Sequence, residues 1–380
     1  MASIAVLVAC NGDPDPTPSG TQEFELKPIS CAGPVLTPGI GRPLLAFVGF
    51  RPGLSEPDIF VAEPDGAEAR LLFTPPELPV RSMAWSPDGS TLAVAAGGTV
   101  SVVRSDGSLV RTVVERDTAV PSVTWSPEGT VLAFASGAEG DRADVQRFTL
   151  SLVGADGSDL RALTDLPIDG EGVTWSPDGR WVAFAAYRGT RLDLHAMRVD
   201  GGRPRRLTQA AQFATAPDWS PDCRQIAYVS GDIGGSDLRV LQLDGSGDAI
   251  AVDTPVTTPA SNARSPVWSP DGRMIAYYVE LPTPEALPDP EAFVVRPDGS
   301  GGAQLTTRDD GINQGLTWSS DGRWVVVAGL GAPPPGRPDR PGGTGWGLVA
   351  VAADGTTRHA LIDPASGIED PQHPVMATSV

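Results

Sequence analysis

Val173-Thr174-Trp175-Ser176-Pro177-Asp178-Gly179-Arg180-Trp181-Val182-Ala183-Phe184 is one copy of a stretch that recurs along most of this 380-residue chain. A recurrence of 40 to 50 residues is typical of repeat architectures, in which each unit buries its apolar face against the next. The tryptophans that open the copies are Trp85, Trp125, Trp175, Trp219, Trp268 and Trp318. The sequence therefore predicts an array of similar units.

Each copy predicts a tight hairpin turn directly after its tryptophan. Proline presets the backbone for the first turn position, aspartate bonds its own backbone, and glycine accepts a positive φ. Since a strand must precede and follow such a turn, the tryptophan occupies a fixed strand position. We expect it to pack between neighbouring sheets and not to stack on a ligand.

The strands after the turns are predicted to be covered on both faces. In Leu92-Ala93-Val94-Ala95-Ala96, large residues alternate with alanine, whereas a strand with one wet face would alternate apolar with polar residues. A second apolar run and an Asp-Gly turn follow most copies, and a last short run such as Arg205-Arg206-Leu207-Thr208 ends the unit. Four antiparallel strands per unit, stacked face to face, predict an all-β fold, a β-propeller.

The ends of the chain decide the predicted number of blades. The tryptophan turn occurs six times, but the Asp-Gly turn occurs seven times. The Asp-Gly turns begin at Asp65, Asp106, Asp156, Asp200, Asp244, Asp298 and Asp354. The first unit thus lacks its opening strand, and His373-Pro374-Val375-Met376 resembles the strand before Trp268. We predict a seven-bladed propeller over residues 43–380, closed by the C-terminal strand, which would leave no open edge.

The Trp-Ser-Pro-Asp-Gly copies resemble the WD40-like β-propeller repeat of the TolB family over nearly the whole chain after residue 42. This resemblance implies a propeller in the periplasm or at the cell surface that has no catalysis of its own and binds other proteins. TolB has six blades and an additional N-terminal α/β domain. Because this chain is predicted to have seven blades and no such domain, a role in the Tol-Pal system does not transfer.

Composition excludes one class of partner. The net charge of −19 opposes binding to nucleic acid, which requires a basic stripe. An acidic surface favours solubility, and we expect a monomer.

The first 42 residues are predicted to lie outside the propeller. Leu7-Val8-Ala9-Cys10 resembles the lipobox of bacterial lipoproteins, so residues 1–10 are interpreted as a truncated signal peptide with Cys10 as the lipidation site. Residues 11–42 are rich in Pro, Gly, Thr and Asp, which predicts a disordered tether to the membrane. The alternative is an unstructured N-terminus with an incidental cysteine.

Two further cysteines, Cys31 in the tether and Cys223 in place of a turn glycine, could pair in an oxidising compartment. Sequence does not give their separation, and two free thiols are the preferred expectation.

The predicted connectivity assigns the short, uniform turns to one face of the disc and the variable loops to the other. Glu280–Glu291 and Leu330–Gly345 are long, and the second is proline-rich and contains Arg337 and Arg340. Long loops on a rigid scaffold often carry function, so we expect a protein partner to contact Arg337 and Arg340. Tolerated insertions in solvent remain an equal alternative.

A second candidate surface lies at the channel mouth, just ahead of the repeat tryptophans. Polar residues vary there from blade to blade, namely Arg81, Glu171, Thr215, Asp218, Arg264 and Gln314. Charge is costly to bury unless a water-filled pore or a ligand receives it. The hypothesis is that Arg81, Glu171, Arg264 and Gln314 line the mouth and contact the partner; the alternative is a solvated funnel without a ligand.

Catalysis is not predicted. The three histidines, His195, His359 and His373, are scattered, whereas a metal-dependent lyase on such a scaffold would need several at one end of the channel. No metal site and no cofactor are assigned. The competing hypothesis is a polysaccharide lyase or hydrolase that acts in the channel.

Overall fold

The computed structural model describes residues 44–50, 57–77, 79–137, 147–170, 172–209, 212–232, 235–243, 250–257, 261–281, 289–307, 315–330, 346–362 and 369–376. These residues form β-strands, turns and bends. Over the same ranges, no helix has the length and apolar character needed to cross a lipid bilayer. The predicted all-β class is confirmed.

The strands are short, as expected for a chain punctuated by turns. The first eleven are β1 (Leu45–Phe50), β2 (Pro57–Ala62), β3 (Arg70–Phe73), β4 (Val80–Trp85), β5 (Thr91–Ala96), β6 (Thr99–Arg104), β7 (Val110–Glu115), β8 (Ser122–Trp125), β9 (Val131–Ser136), β10 (Thr149–Gly154) and β11 (Arg161–Ala162). The next eight are β12 (Thr174–Trp175), β13 (Trp181–Arg188), β14 (Arg191–Arg198), β15 (Arg205–Arg206), β16 (Phe213–Trp219), β17 (Gln225–Asp232), β18 (Gly235–Leu243) and β19 (Ile250–Pro255). The last nine are β20 (Ala263–Trp268), β21 (Ile275–Leu281), β22 (Asp289–Val295), β23 (Ala303–Gln304), β24 (Leu316–Trp318), β25 (Trp324–Leu330), β26 (Trp346–Ala352), β27 (Arg358–Ile362) and β28 (Glu369–Met376).

The described strands form six sheets, which we label in chain order. Sheet A has the order β28-β1-β2-β3, and sheets B, C, E and F are β4–β7, β8–β11, β20–β23 and β24–β27. Sheet D contains the eight strands β12–β19. In sheet A, Leu45 pairs with Met376 and Ala46 with Val375, antiparallel. The predicted closure of the first blade by the C-terminal strand is confirmed.

The prediction of seven separate four-stranded blades requires correction. Within the described residues, five four-stranded sheets stand alone, and the remaining eight strands form the continuous sheet D. The cause is a parallel bridge between β14 and β16, at Leu192 and Phe213. There the Leu192 N–H donates to the Gln212 carbonyl at 3.0 Å. The repeat pattern does not predict this bridge, because a single residue pair joins the two strands.

The hydrophobic core lies between sheet faces. Leu92, Ala93, Val94, Ala95 and Ala96 of β5 are all 1% exposed or less, so both faces of this strand are covered as predicted. One cluster joins sheets A and B, others follow around the molecule, and a last one joins sheets F and A. A further cluster packs β13 and β14 against β16–β18, between the two halves of sheet D.

The repeat tryptophans lie in these clusters. All six are 2% to 8% exposed, and each packs with residues of both adjoining sheets or half-sheets. Their predicted role between blades is confirmed.

The first strands of the units surround the axis. Each contacts the next, in the closed order β4, β8, β12, β16, β20, β24, β28 and back to β4. The hairpins after the tryptophans and the Asp-Gly turns lie on one side of this ring, here called the turn face. The other side, the connection face, receives the loops between second and third strands and the links between sheets.

A buried serine organises each tryptophan turn. Ser176 Oγ donates to Asp178 Oδ1 at 2.5 Å and accepts a hydrogen bond from the Trp181 N–H at 2.9 Å. The Arg180 N–H donates to the same aspartate oxygen at 3.1 Å. The turn pattern predicts the roles of the aspartate and the glycine but not that of the serine, whose hydroxyl joins the two arms of the hairpin.

Candidate binding site at the connection face

Three of the first strands, β4, β16 and β20, carry register irregularities towards the connection face. β16 has a register shift between Thr215 and Asp218, and β20 has one between Arg264 and Val267. Ala216 and Ser265, inside these shifts, have φ angles of 49° and 47°, in the left-handed region. Bulges of this kind re-aim side chains and are frequent beside functional sites. In β16 and β20 they coincide with the polar positions Thr215, Asp218 and Arg264.

Two of the four predicted mouth residues lie within the described structure. Arg81, in β4, is exposed. Arg264, in β20, is 60% exposed and forms a bidentate ion pair with Glu280 of β21, at 2.6 Å from Nε to Oε1 and 3.0 Å from Nη2 to Oε2. The structure thus gives Arg264 an intramolecular partner that the sequence did not indicate. Glu171 and Gln314 fall outside the described residues, as do Arg337, Arg340 and Cys10.

The two other polar positions in this row join neighbouring units. Thr215 Oγ1 donates to Asp169 Oδ2, and Asp218 Oδ2 accepts a hydrogen bond from the Trp268 N–H at 2.7 Å. Burial raises the pKa of Asp218 to about 7, although the Trp268 and Trp219 N–H groups favour its charged form. These side chains stabilise the ring and are less available to a partner than Arg81.

Indole N–H groups supply further links that were not predicted. Trp125 Nε1 donates to the Ala84 carbonyl at 2.9 Å, and Trp318 Nε1 to the Val267 carbonyl at 3.0 Å. The acceptor is the residue just before the tryptophan of the preceding unit, as it also is for Trp268 and Asp218, at 3.1 Å. Only the packed ring brings these partners together.

Buried carboxylates form a second feature that sequence reasoning missed. Asp193 and Glu291 are 0% exposed and accept hydrogen bonds from Thr208 Oγ1 and Thr306 Oγ1, at 3.3 Å and 2.6 Å. Arg206 also pairs with Asp193 at 2.9 Å. A carboxylate followed after 15 residues by a Leu-Thr pair is the signal that could have identified them. Their burial beneath the threonines indicates a structural role.

The histidines do not converge within the described part of the chain. His195 is 8% exposed and stacks on Phe184, and burial lowers its pKa. His359 is exposed at the turn face, and His373 lies in β28. Among the described residues, no group of three His, Cys, Asp or Glu side chains could hold a metal ion.

Cys223 departs from the prediction. It is disulfide-bonded, so the expectation of free thiols is wrong for this residue. Cys10 and Cys31 both lie outside the described residues. Cys223 is 3% exposed and has a φ of 59°, a conformation in which the other tryptophan turns use glycine. Glycine would suit this turn conformation, so the cysteine is explained by its disulfide and not by the turn.

Comparisons with known proteins agree with the architecture. The family model described as the TolB beta propeller domain matches residues 42–321. No curated protein matches the sequence.

Solved structures show the same fold at low sequence identity. A protein from Agrobacterium tumefaciens assigned as TolB is 23% identical over 70% of this chain and 88% of that one, with a TM-score of 0.52. TolB from Acinetobacter baumannii is 15% identical over 84% of this chain and 79% of its own, with the same TM-score of 0.52. An oligogalacturonate lyase in complex with manganese is 14% identical over 84% of both chains, with a TM-score of 0.55.

Proposed function

The chain belongs to the TolB β-propeller family, and from that premise we propose that it is a non-catalytic protein-binding module of the bacterial cell envelope. The observation that carries this proposal is the closed ring of first strands, which presents exposed arginine side chains at its connection face. A rigid ring holds such groups in fixed positions, and function tends to collect on the loops around it.

The proposed contact surface is the channel mouth around Arg81 and Arg264. Both are cationic on a chain with a net charge of −19, so they offer a local attraction for carboxylates that the rest of the surface repels. Arg264 is already paired with Glu280, so a partner carboxylate must compete with an intramolecular one. Glu171, Gln314, Arg337 and Arg340 are proposed to complete this surface.

Capture experiments with charge-reversed variants test this proposal. Wild-type protein, Arg81→Glu and Arg264→Glu are immobilised at equal amounts and exposed to envelope extract, and bound proteins are quantified by mass spectrometry. A partner that contacts the mouth should be depleted several-fold by either reversal, because reversed charge slows association and adds repulsion.

Two further variants serve as controls. Arg224→Glu makes the same charge change at an exposed position on the turn face and should leave capture unchanged. Glu280→Gln removes the internal competitor of Arg264 and should increase capture. Equal capture by all four variants and the wild type would rule out the mouth as the contact surface.

The location and the anchor belong to the same proposal. We propose an envelope location, with Cys10 lipidated and residues 11–42 acting as a tether that holds the propeller away from the membrane. Mass spectrometry of the mature N-terminus tests this, since a diacylglyceryl adduct on Cys10 is expected and an intact, unmodified Met1 would contradict it.

We further propose that sheet D acts as two blades, which would give the ring seven. Two features support this: the bridge between β14 and β16 is a single residue pair, and a hydrophobic cluster lies between the two halves. Two halves of one flat sheet could not pack face to face in this way.

A further inference from the structure

The seam between sheets F and A, where the ring closes, contains an open groove at the turn face. Its cavity volume is about 650 Å³, and its lining includes Pro64, Asp65, Asp321, Trp324 and His359. Trp324 is only partly buried, and the His359 ring lies 5.0 Å from it between centroids. A groove of this size accommodates a side chain together with part of a backbone.

At three other seams an arginine of the chain itself spans the gap, and the cavities at two of these seams are only about 330 Å³ in volume. In each, an arginine in the fourth strand donates to a backbone carbonyl of the next sheet. The pairs are Arg70 Nη2 to Ser105 O at 2.6 Å, Arg111 Nη1 to Asp156 O at 3.3 Å and Arg161 Nη2 to Val199 O at 2.5 Å. We call this strand position the clamp position.

At the open seam, the clamp position holds His359. Strand register establishes the equivalence: Arg111 pairs with Val102, Arg161 with Leu152 and His359 with Ala350, all at the same level of the third strand. The shorter imidazole leaves space that a guanidinium takes at those three seams, whereas Thr254 and Ala303 hold the equivalent position in the second half of sheet D and in sheet E. Pro64 lines this groove and directly precedes an Asp-Gly turn, as do Ser105 and Val199, whose carbonyls accept hydrogen bonds from Arg70 and Arg161.

Sheet D provides an internal copy of the same site in its filled state. Trp181 follows its tryptophan turn as Trp324 does, and it is 6% exposed. The guanidinium carbons of Arg198 and Arg205 lie 5.8 Å and 4.9 Å from its ring centroid. Arg205 pairs with Ala196 and therefore occupies the clamp position. Where this chain covers such a tryptophan, it uses arginine.

We propose that the groove between sheets F and A binds an arginine side chain of a partner protein or peptide. The guanidinium stacks on Trp324 in the place that Arg198 takes on Trp181, since the residue paired with Trp324 is the small Ala352 and a planar cation suits an aromatic face. Asp65 and Asp321 supply opposite charge at the rim. The net charge of −19 on the chain also favours a ligand that contains arginine, because it attracts basic segments.

This site is independent of the channel mouth, which lies on the opposite face. Arg264→Glu should therefore leave binding in the groove unchanged, and failure of either proposal can be recognised without the other.

Fluorine NMR of the full chain labelled with 5-fluorotryptophan tests the proposal. The protein has nine tryptophans, and Trp324→Phe identifies the resonance of Trp324. The probe is the peptide acetyl-Gly-Arg-Gly-Arg-Gly-amide, and its matched control contains citrulline in place of arginine, which keeps the shape and removes the charge. Saturable movement of the Trp324 resonance is expected, with affinity for the citrulline peptide lower by about tenfold or more.

Variants at the clamp position sharpen the test. His359→Arg supplies the residue that Arg70, Arg111, Arg161 and Arg205 provide at four other seams, and it should abolish binding without lowering the melting temperature, whereas His359→Ala should still bind. If His359→Arg is less stable than the wild type, Asp321→Asn decides instead, and it should weaken binding several-fold. A Trp324 resonance that does not move, that moves equally with citrulline, or that still moves in folded His359→Arg would overturn the proposal.

Discussion

Trp125 and Trp175 offer a matched comparison of what one indole N–H contributes to this fold. The two side chains are 7% and 8% exposed and occupy the same strand position. Trp125 Nε1 donates to the Ala84 carbonyl at 2.9 Å. Trp175 Nε1 is buried and finds no acceptor among the described residues.

Phenylalanine at either position removes similar apolar area, so the packing loss should be similar. Trp125→Phe also removes a hydrogen bond and leaves a carbonyl unpaired, at a net cost of about 0.5–1.5 kcal/mol. Trp175→Phe removes a buried donor that has no acceptor among the described residues, which restores about 1–3 kcal/mol. Trp125→Phe should therefore be less stable than Trp175→Phe by at least about 1 kcal/mol.

Urea unfolding of both variants, followed by far-ultraviolet circular dichroism, measures this difference. The midpoint of Trp125→Phe should lie below that of Trp175→Phe at an equal slope. As a control for packing, Trp125→Ala and Trp175→Ala should each lose roughly 3–5 kcal/mol. An equal or lower midpoint for Trp175→Phe would refute the assignment of the hydrogen bond.

Three further perturbations have expected outcomes. Burial raises the pKa of Asp218 to about 7, above its unfolded value of 3.8, so stability that is present below pH 4 is lost as pH rises towards 7. The free energy of unfolding of Asp218→Asn should therefore exceed that of wild type at pH 8 by at most about 4 kcal/mol, and by less at pH 5; a difference that does not change with pH would contradict this. Cys223→Gly relieves a φ of 59° but breaks a disulfide, so it should melt below wild type in oxidising buffer and above it in dithiothreitol, and the absence of such a crossover would argue against the bond. Ser176→Ala should cost about 1–3 kcal/mol in urea unfolding, more than Ser126→Ala, whose turn has Glu128 in place of aspartate; equal losses would show that the serine–aspartate bond contributes nothing.

The candidate sites show how far sequence reasoning reached. Arg81 and Arg264 were predicted because each is a polar residue just ahead of a repeat tryptophan, at a position that varies between units while the adjacent positions repeat. This signal is local in sequence. The ion pair of Arg264 with Glu280 was not found, because it depends on the register of β20 against β21. The seam groove was missed for a similar reason, since His359 matters only once it is aligned with the arginines of other sheets.

The sequence alone determined the unit of this fold: tryptophan, turn and alternating alanine specify a hairpin covered on both faces, because turn chemistry and side-chain periodicity act within a few residues. It also determined the closure of Leu45 against Met376, since the last strand carries the pattern that the first unit lacks. Tertiary structure decided the fusion of sheet D at Leu192, the disulfide at Cys223 and the open seam beside Trp324. Each depends on distances between residues far apart in the chain, and those distances exist only after the sheets have packed into a ring.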